Sequence, residues 1–245
     1  MSIHLAPSDF FDLTDYPHVE LFTDMRFVWE ALPRLHEFLL ALVGGKGRQI
    51  LGEVAPGAFL AEGDDIFIGP GAVVEPGAYI AGPAYIGPGA QVRHGAYIRS
   101  NALIGAGATV GHATEVKNSI LLPHAHAPHF NYVGDSILGR HVNLGAGTKL
   151  SNLTVVSVKD PSSGQRPTLK IVVEGETFDT GLAKLGAILG DGVQTGCNSV
   201  LNPGALIGPR SLVYANASLP KGYYPPDTII KLRQRFEYAA RITEH

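Results

Sequence analysis

The apolar positions of this chain recur every six residues, a period that neither an amphipathic helix nor an alternating strand produces. From residue 68 the sequence divides into IGPGAV, VEPGAY, IAGPAY, IGPGAQ, VRHGAY, IRSNAL, IGAGAT, VGHATE, VKNSIL and LPHAHA. The first positions are Ile68, Val74, Ile80, Ile86, Val92, Ile98, Ile104, Val110, Val116 and Leu122, every one aliphatic. Four residues later come Ala72, Ala78, Ala84, Ala90, Ala96, Ala102 and Ala108, then Thr114 and Ile120. Six residues with glycine or proline near each corner make a short strand and a turn. Three such units close a triangular coil of about 18 residues, stacked on the next at ~4.8 Å. The prediction is an all-β solenoid, a parallel β-helix of hexapeptide repeats. In its narrow interior the large aliphatic and the small residue four positions later lie side by side.

The period resumes at Leu138, Leu144 and Leu150, and again at Leu189, Thr195, Leu201, Ile207, Val213 and Leu219. A weaker version at Val54, Leu60 and Ile66 is offset by two residues. The solenoid is therefore expected over 50–222, with inserted loops at 123–132 and 155–187. In the second loop DPSSG reads as a turn and LKIVVEGETFDTG as a hairpin. Insertions in a solenoid project from one face, often the binding face.

Helical segments are expected on either side, over 1–49 and 223–245. Residues 8–43 carry Phe27, Trp29, Ala31, Leu35, Phe38, Leu39 and Leu42 at roughly helical spacing, with a kink at Pro33. GGKGR at 44–48 lacks the Ser or Thr of a phosphate loop after its lysine, so it reads as a helix stop. Pro225-Pro226-Asp227 is expected to start a helix with Ile229, Leu232, Phe236 and Ala240 on one side. Terminal coils need covering, and the two segments are expected to cap them.

Composition narrows the class. A formal charge of −3 on 245 residues argues against general nucleic-acid binding. The single cysteine, Cys197, excludes an intramolecular disulfide and a Cys-rich zinc site. No basic region leads into an apolar run at the amino terminus, and no apolar stretch approaches a membrane span. The sequence reads as a soluble, cytoplasmic protein with no nucleic-acid or membrane partner.

The positions that break the repeat carry the chemistry. The second position of a unit is usually small, but it is Arg99 in one and Lys117 in another, 18 residues apart. Both should project from one face, stacked one coil apart, where two cations repel unless something negative joins them. A bound phosphate would supply it; two splayed surface cations are the alternative. His94 and His112 are likewise 18 apart, at solvent-facing corners. The stretch LPHAHAPHFNYVGD adds His124, His126 and His129. A zinc ion on three histidines with an open water site is chemically sensible and would resemble the γ-class carbonic anhydrases, but the third ligand is not readable.

The stretch EVKNSILLPHAHAPHFNYVGDSILGRHVNLGAGTKLSNL, residues 115–153, resembles a known family. It is similar to the acetyltransferase domain of bifunctional glucosamine-1-phosphate acetyltransferase/N-acetylglucosamine-1-phosphate uridyltransferases. An acidic-x-Lys, His-x-x-Tyr-x-Gly-Asp, Asn-x-Gly-Ala-Gly-Thr and a further Asn are all present. With FDTGLAKLGAILGDGVQTGCNSVLNPG, residues 178–204, which looks closest to archaeal-type members, the likeness covers most of 68–220. The resemblance is to the acetyltransferase half standing alone, so no nucleotidyltransferase domain is expected.

The resemblance implies a left-handed winding and a homotrimer with sites in the grooves between β-helices. It implies acetyl-CoA as acyl donor, a hexosamine-1-phosphate as acceptor, glucosamine-1-phosphate favoured, and no metal requirement for acetyl transfer. His129 matches the catalytic base, and an imidazole suits that role near neutral pH. Arg99 and Lys117 match sugar-phosphate contacts; Tyr132, Asn143 and Lys184 match acceptor-sugar contacts. Ala146, Cys197 and Ala215 fall where the family contacts acetyl-CoA, with Asn152 beside them. Cys197 replaces a usual serine, and Leu153 replaces the tyrosine of an Asn-Tyr pair. The family's carboxy-terminal arginine has only Arg233 as a candidate. Three other readings stand beside this one: an acyltransferase on a nucleotide-linked amino sugar, a silent sugar-nucleotide-binding or assembly protein, and the zinc enzyme.

Overall fold

A computed structural model describes residues 5–45, 47–61 and 65–239 of the chain. Each repeat unit is a strand of two to four residues followed by a turn. The strands form three parallel sheets, the faces of a triangular prism. Nine strands from Arg48–Ile50 to Gly222–Tyr224 make the first face, and nine from Glu53–Val54 to Ile229–Ile230 make the second. Eight from Phe59–Leu60 to Ser218–Leu219 make the third. Each strand pairs with the one a full coil away, as Ala84–Ile86 does with Ile66–Ile68 and with Ala102–Ile104. The fold is the expected parallel β-helix. Its axis is filled by Ile86, Val92 and Ile98 with Ala84 and Ala90, all fully buried, as the six-residue pattern requires.

The coil length changes where the pattern fails. Ile98 pairs with Val116, 18 residues on, but Val110 pairs with Ala127 and Val116 with Val133, 17 on. The stretch 123–132 is therefore not an inserted loop. It contains the strand His126–His129, and its coil is one residue short. Leu121, not Leu122, pairs with Ile104 and fills the interior, while Ile120 and Leu122 are buried on the outside. The second interruption is an insertion as expected. Lys170–Val173 and Glu176–Asp179 form its antiparallel hairpin, and Leu138 pairs across the whole excursion with Leu189.

The amino-terminal segment does not cap an end of the solenoid. It lies along the first face, where the outward residues Leu103, Ile120, Ile137, Ile188 and Leu206 share a second core with Phe10, Trp29, Leu32, Leu35 and Leu39. Such an aliphatic outer column loses roughly 1.5–3 kcal/mol per large side chain if left in water, which is why the segment covers it. Only Ala31–Val43 is a sustained helix, with Leu32, Leu35, Leu39 and Val43 on its buried side. Residues 8–30 hold short helical turns instead, interrupted by Asp15 and Asp24 in the left-handed region. Pro33 lies in the first turn of the helix, where the missing N–H has no partner to lose. Gly44 ends the helix, and the N–H groups of Gly45 and Gly47 donate to the Asp65 carboxylate at 3.2 and 2.9 Å. Lys46 lies outside the described residues.

The expected carboxy-terminal helix does not form over the described residues. Pro225, Pro226 and Asp227, the last with φ 56°, turn one more corner, and Ile229–Ile230 pairs with Leu212–Val213. Arg210 fixes that corner with a two-pronged bond to the Asp227 carboxylate, both at 2.7 Å. Residues 231–239 carry no regular secondary structure, and Ala240 lies outside the described residues. Among the described residues no helix is long and apolar enough to cross a membrane.

Candidate active site

The edge between the second and third faces aligns one residue per coil: His94, His112, His129, Ala146, Cys197 and Ala215. The N–H following each donates to the carbonyl of its predecessor. Phe130 donates to His112 at 2.7 Å, Gly147 to His129 at 3.1 Å, Asn198 to Ala146 at 2.8 Å and Asn216 to Cys197 at 2.9 Å. The base candidate and three of the four acyl-donor candidates thus share one edge, in coil order. His94 and His112 stack with ring centroids 6.0 Å apart, as their spacing predicts. Among the described residues no group of three or more His, Cys, Asp or Glu is arranged to hold a metal ion.

Behind this edge the inner corner changes character. Ala78 and Ala96 occupy it in early coils; Thr114, Asn131, Thr148 and Ser199 replace them, all buried. Buried polar groups need partners, and these find them on the edge itself. Asn131 accepts the His129 N–H at 3.1 Å through its side-chain oxygen and donates to the Gly145 carbonyl at 2.8 Å. The Thr148 and Thr195 hydroxyls bond each other at 2.9 Å. The sequence reading missed Asn131; a polar residue at a position where other coils place alanine was the available signal. The His129 ring is exposed, and among the described residues no hydrogen bond to it is formed; its backbone is held through Asn131.

The third face carries the charged cluster. With Ile98 paired to Val116, Arg99 and Lys117 project as neighbours one coil apart, as predicted. The chain supplies its own counter-charges: Glu115 lies 2.9 Å from Arg99, and Asp135 3.7 Å from Lys117. The cations therefore do not by themselves demand a bound phosphate. The bond from Glu115 raises the Arg99 pKa above its ordinary value. The Tyr132 hydroxyl lies over Gly134, where an added Cβ would come within 2.6 Å of it and would push the phenol or the Asn152 amide aside. Burial, then the Glu115 and Asp135 charges, raise the phenol above its usual range.

Asn152 is not on the His129 edge. It lies across the third face, where its amide donates to Asp135 at 2.5 Å. Lys184, exposed at the end of the insertion, precedes Leu185, whose N–H donates to the Asn152 carbonyl at 3.1 Å. A groove of about 350 Å³ opens beyond Asn152, lined by Thr154, Val156, Leu169, Lys170 and Lys221. Asn143 is on the second face, between His126 and Gln194. One chain therefore joins Arg99, Lys117, Tyr132, Asn152 and Lys184, but not Asn143. His124 stacks on His141 at 5.1 Å, and His126 is half-buried with its pKa lowered by burial first and by Arg93 next. Arg233 falls in the segment without regular structure.

Comparison with known proteins bears on this arrangement. Residues 80–160 match the family described as the GMPPB C-terminal domain. A bifunctional sugar-1-phosphate nucleotidylyltransferase/acetyltransferase of Sulfurisphaera tokodaii is 35% identical over 99 residues, 40% of this chain and 22% of that protein. The bifunctional protein GlmU of Methanococcus maripaludis is 38% identical over 98 residues, 40% of this chain and 21% of that protein. A stretch of about 100 residues of this chain is similar to these proteins. The chain matches only about a fifth of the length of these GlmU relatives. Among solved structures, the UDP-N-acetylglucosamine acyltransferase of Francisella novicida is 16% identical, with a TM-score of 0.40, over 74% of this chain and 66% of that one.

Proposed function

We propose that the protein is an acyltransferase that moves the acetyl group of acetyl-CoA onto the amine of a hexosamine-1-phosphate, glucosamine-1-phosphate in first place. The observation that carries this reading is the edge on which His129, Ala146, Cys197 and Ala215 follow one another coil by coil, beside the face bearing Arg99, Lys117 and Tyr132.

In the proposed reaction the acceptor enters as its ammonium ion and gives one proton to solvent. The free amine attacks the thioester carbonyl, and His129 takes the second proton as the C–N bond forms. The Ala146 N–H, which has no acceptor among the described residues, is suited to the developing oxyanion. The C–S bond then breaks and the proton passes to the departing thiolate. No covalent enzyme intermediate and no metal is needed, so Cys197 serves as a small corner residue along the donor. Arg99 and Lys117 receive the sugar phosphate, and Tyr132 and Lys184 the sugar. In a homotrimer with sites between copies, Asn143 on the second face of one copy would meet the third-face residues of its neighbour.

The test is thiol release from acetyl-CoA with a panel of amino-sugar phosphates, their unphosphorylated forms and nucleotide-linked amino sugars. Turnover confined to the nucleotide-linked acceptors would replace the acceptor class. No turnover with any amino sugar would overturn the enzyme reading.

A further inference from the structure

Four residues spaced by 17, Asn101, Asn118, Asp135 and Asn152, run along the edge between the third and first faces. The first three have φ of 61°, 46° and 46°, a left-handed conformation that Asn and Asp tolerate better than other side chains. Their side chains form a directed ladder. Asn101 donates through its amide nitrogen to the Asn118 oxygen at 3.4 Å, and Asn118 donates to Asp135 Oδ1 at 2.8 Å. From the other side Asn152 donates to Asp135 Oδ2 at 2.5 Å. At the far end the Asn101 oxygen lies 2.8 Å from His36 Nδ1, on the amino-terminal helix. An amide oxygen only accepts, so His36 is the donor. Every bond points toward Asp135.

A turn at this corner does not need an acid. The next rungs along the same edge are Gly186 and Gly204, whose N–H groups donate to the Asp135 and Gly186 carbonyls, both at 2.7 Å. Asp135 is 6% exposed, and the cation in contact with it is Lys117, at 3.7 Å from Oδ2. That separation is longer than a hydrogen bond, so the ammonium keeps its donors for another acceptor. A lysine on its flexible stem loses much side-chain freedom when fixed, and a buried carboxylate beneath it makes that ordering in advance. The Asn118 and Asn152 amides meanwhile occupy both carboxylate oxygens, which limits its repulsion of an incoming anion.

We propose that Asp135 is a positioning residue for the acceptor's phosphate, holding the Lys117 ammonium and the Asn152 amide in place, with Asn118 and Asn101 fixing the carboxylate. This rests on the hexosamine-phosphate reading above. The experiment compares kcat/KM for glucosamine-1-phosphate and for glucosamine in the full chain, in Asp135→Asn and in Asn118→Gly, which keeps the left-handed backbone. Hydrogen bonds to a charged group contribute enough that the ratio of the two values should fall about tenfold in Asp135→Asn, chiefly through KM. Asn118→Gly should move it about threefold the same way. A purely structural role would lower both acceptors equally, and that result, or an unmoved ratio, would overturn the inference. Thermal melts identify a variant that fails to fold; if Asp135→Asn does, Asn118→Gly decides alone. Wild-type protein inactive on every amino-sugar phosphate would overturn the function and this inference together, whereas active wild type with an unmoved ratio overturns the inference alone.

Discussion

Ala146 follows His129 on the same edge of the prism, one coil on, and the N–H after it donates to the His129 carbonyl at 3.1 Å. Successive coils are ~4.8 Å apart, so a thioester laid along the edge with its carbonyl at Ala146 brings its carbon within one acceptor nitrogen of the imidazole. Replacing His129 with alanine should lower turnover by about 10²–10⁴-fold, the usual contribution of a general base. The melting temperature should hardly change, because the ring is exposed and the strand is fixed through its backbone. Thiol release and a thermal melt on one sample check both halves. Turnover equal to wild type would remove His129 as the base.

Asn131 should behave in the opposite way. Its side chain joins the His129 N–H to the Gly145 carbonyl inside the prism. Asn131→Ala leaves the His129 N–H without its acceptor, at about 1–3 kcal/mol, while the Gly145 carbonyl keeps the Thr148 N–H at 3.1 Å. The denaturant midpoint should drop clearly, with the slope of the unfolding transition unchanged. Equal midpoints would mean that water enters the corner and replaces the amide.

The six-residue period made the solenoid legible because the interior admits only aliphatic and small side chains, and both recur in the letters. What it concealed was the shift from an 18-residue coil to a 17-residue coil. One residue lost at Asn118 looks in the sequence like a broken pattern and reads as an insertion near His124. The runs Asn101-Ala-Leu-Ile, Asn118-Ser-Ile-Leu and Asp135-Ser-Ile-Leu display the shorter repeat, and a search at 17 would have found the amide ladder. Ile229 and Leu232 suited a helix by spacing, yet the backbone edges left open by Leu212–Val213 offered Ile229–Ile230 a full set of partners. Asn143 was readable as a candidate, but its place on the second face, apart from Arg99 and Lys117 on the third, was not.

Cys197 is exposed on the edge proposed for the acyl donor and gives a direct probe of that proposal. Alkylation of this thiol by a maleimide should slow when acetyl-CoA is present, in proportion to occupancy. Cys197→Ser should keep turnover within about threefold, because a small corner residue and not a nucleophile is required. Loss of more than about 10²-fold in Cys197→Ser would instead indicate a covalent step.

Acid should destabilise the protein through two histidines. Burial lowers the pKa of both His18 and His126 below the ordinary value, so the folded state favours their neutral forms. A depressed folded pKa contributes stability that is present above the unfolded value, near 6.5, and is lost as pH falls through the folded one. The melting temperature should therefore decline as pH drops below about 6.5, and less steeply in His126→Gln. An identical pH profile for His126→Gln would exclude its share of the effect.

The ion pair between Arg99 and Glu115 sets up a competition. At 2.9 Å it is a well-formed bond, but the two side chains are 42% and 32% exposed, so solvent screens it. Such a pair is worth at most about 1 kcal/mol, small enough for a doubly charged phosphate to displace Glu115 from the guanidinium. Arg99→Gln should raise KM for glucosamine-1-phosphate about tenfold while changing KM for glucosamine little. Glu115→Gln should act in the reverse direction. It frees Arg99 and removes a negative charge beside the phosphate, so KM for the phosphorylated acceptor should fall by about two- to fivefold. Added salt should shrink that difference, since both charges are partly in water. If Glu115→Gln raises KM instead, Glu115 orients Arg99 for its ligand rather than competing with it, and the phosphate is held with the ion pair intact.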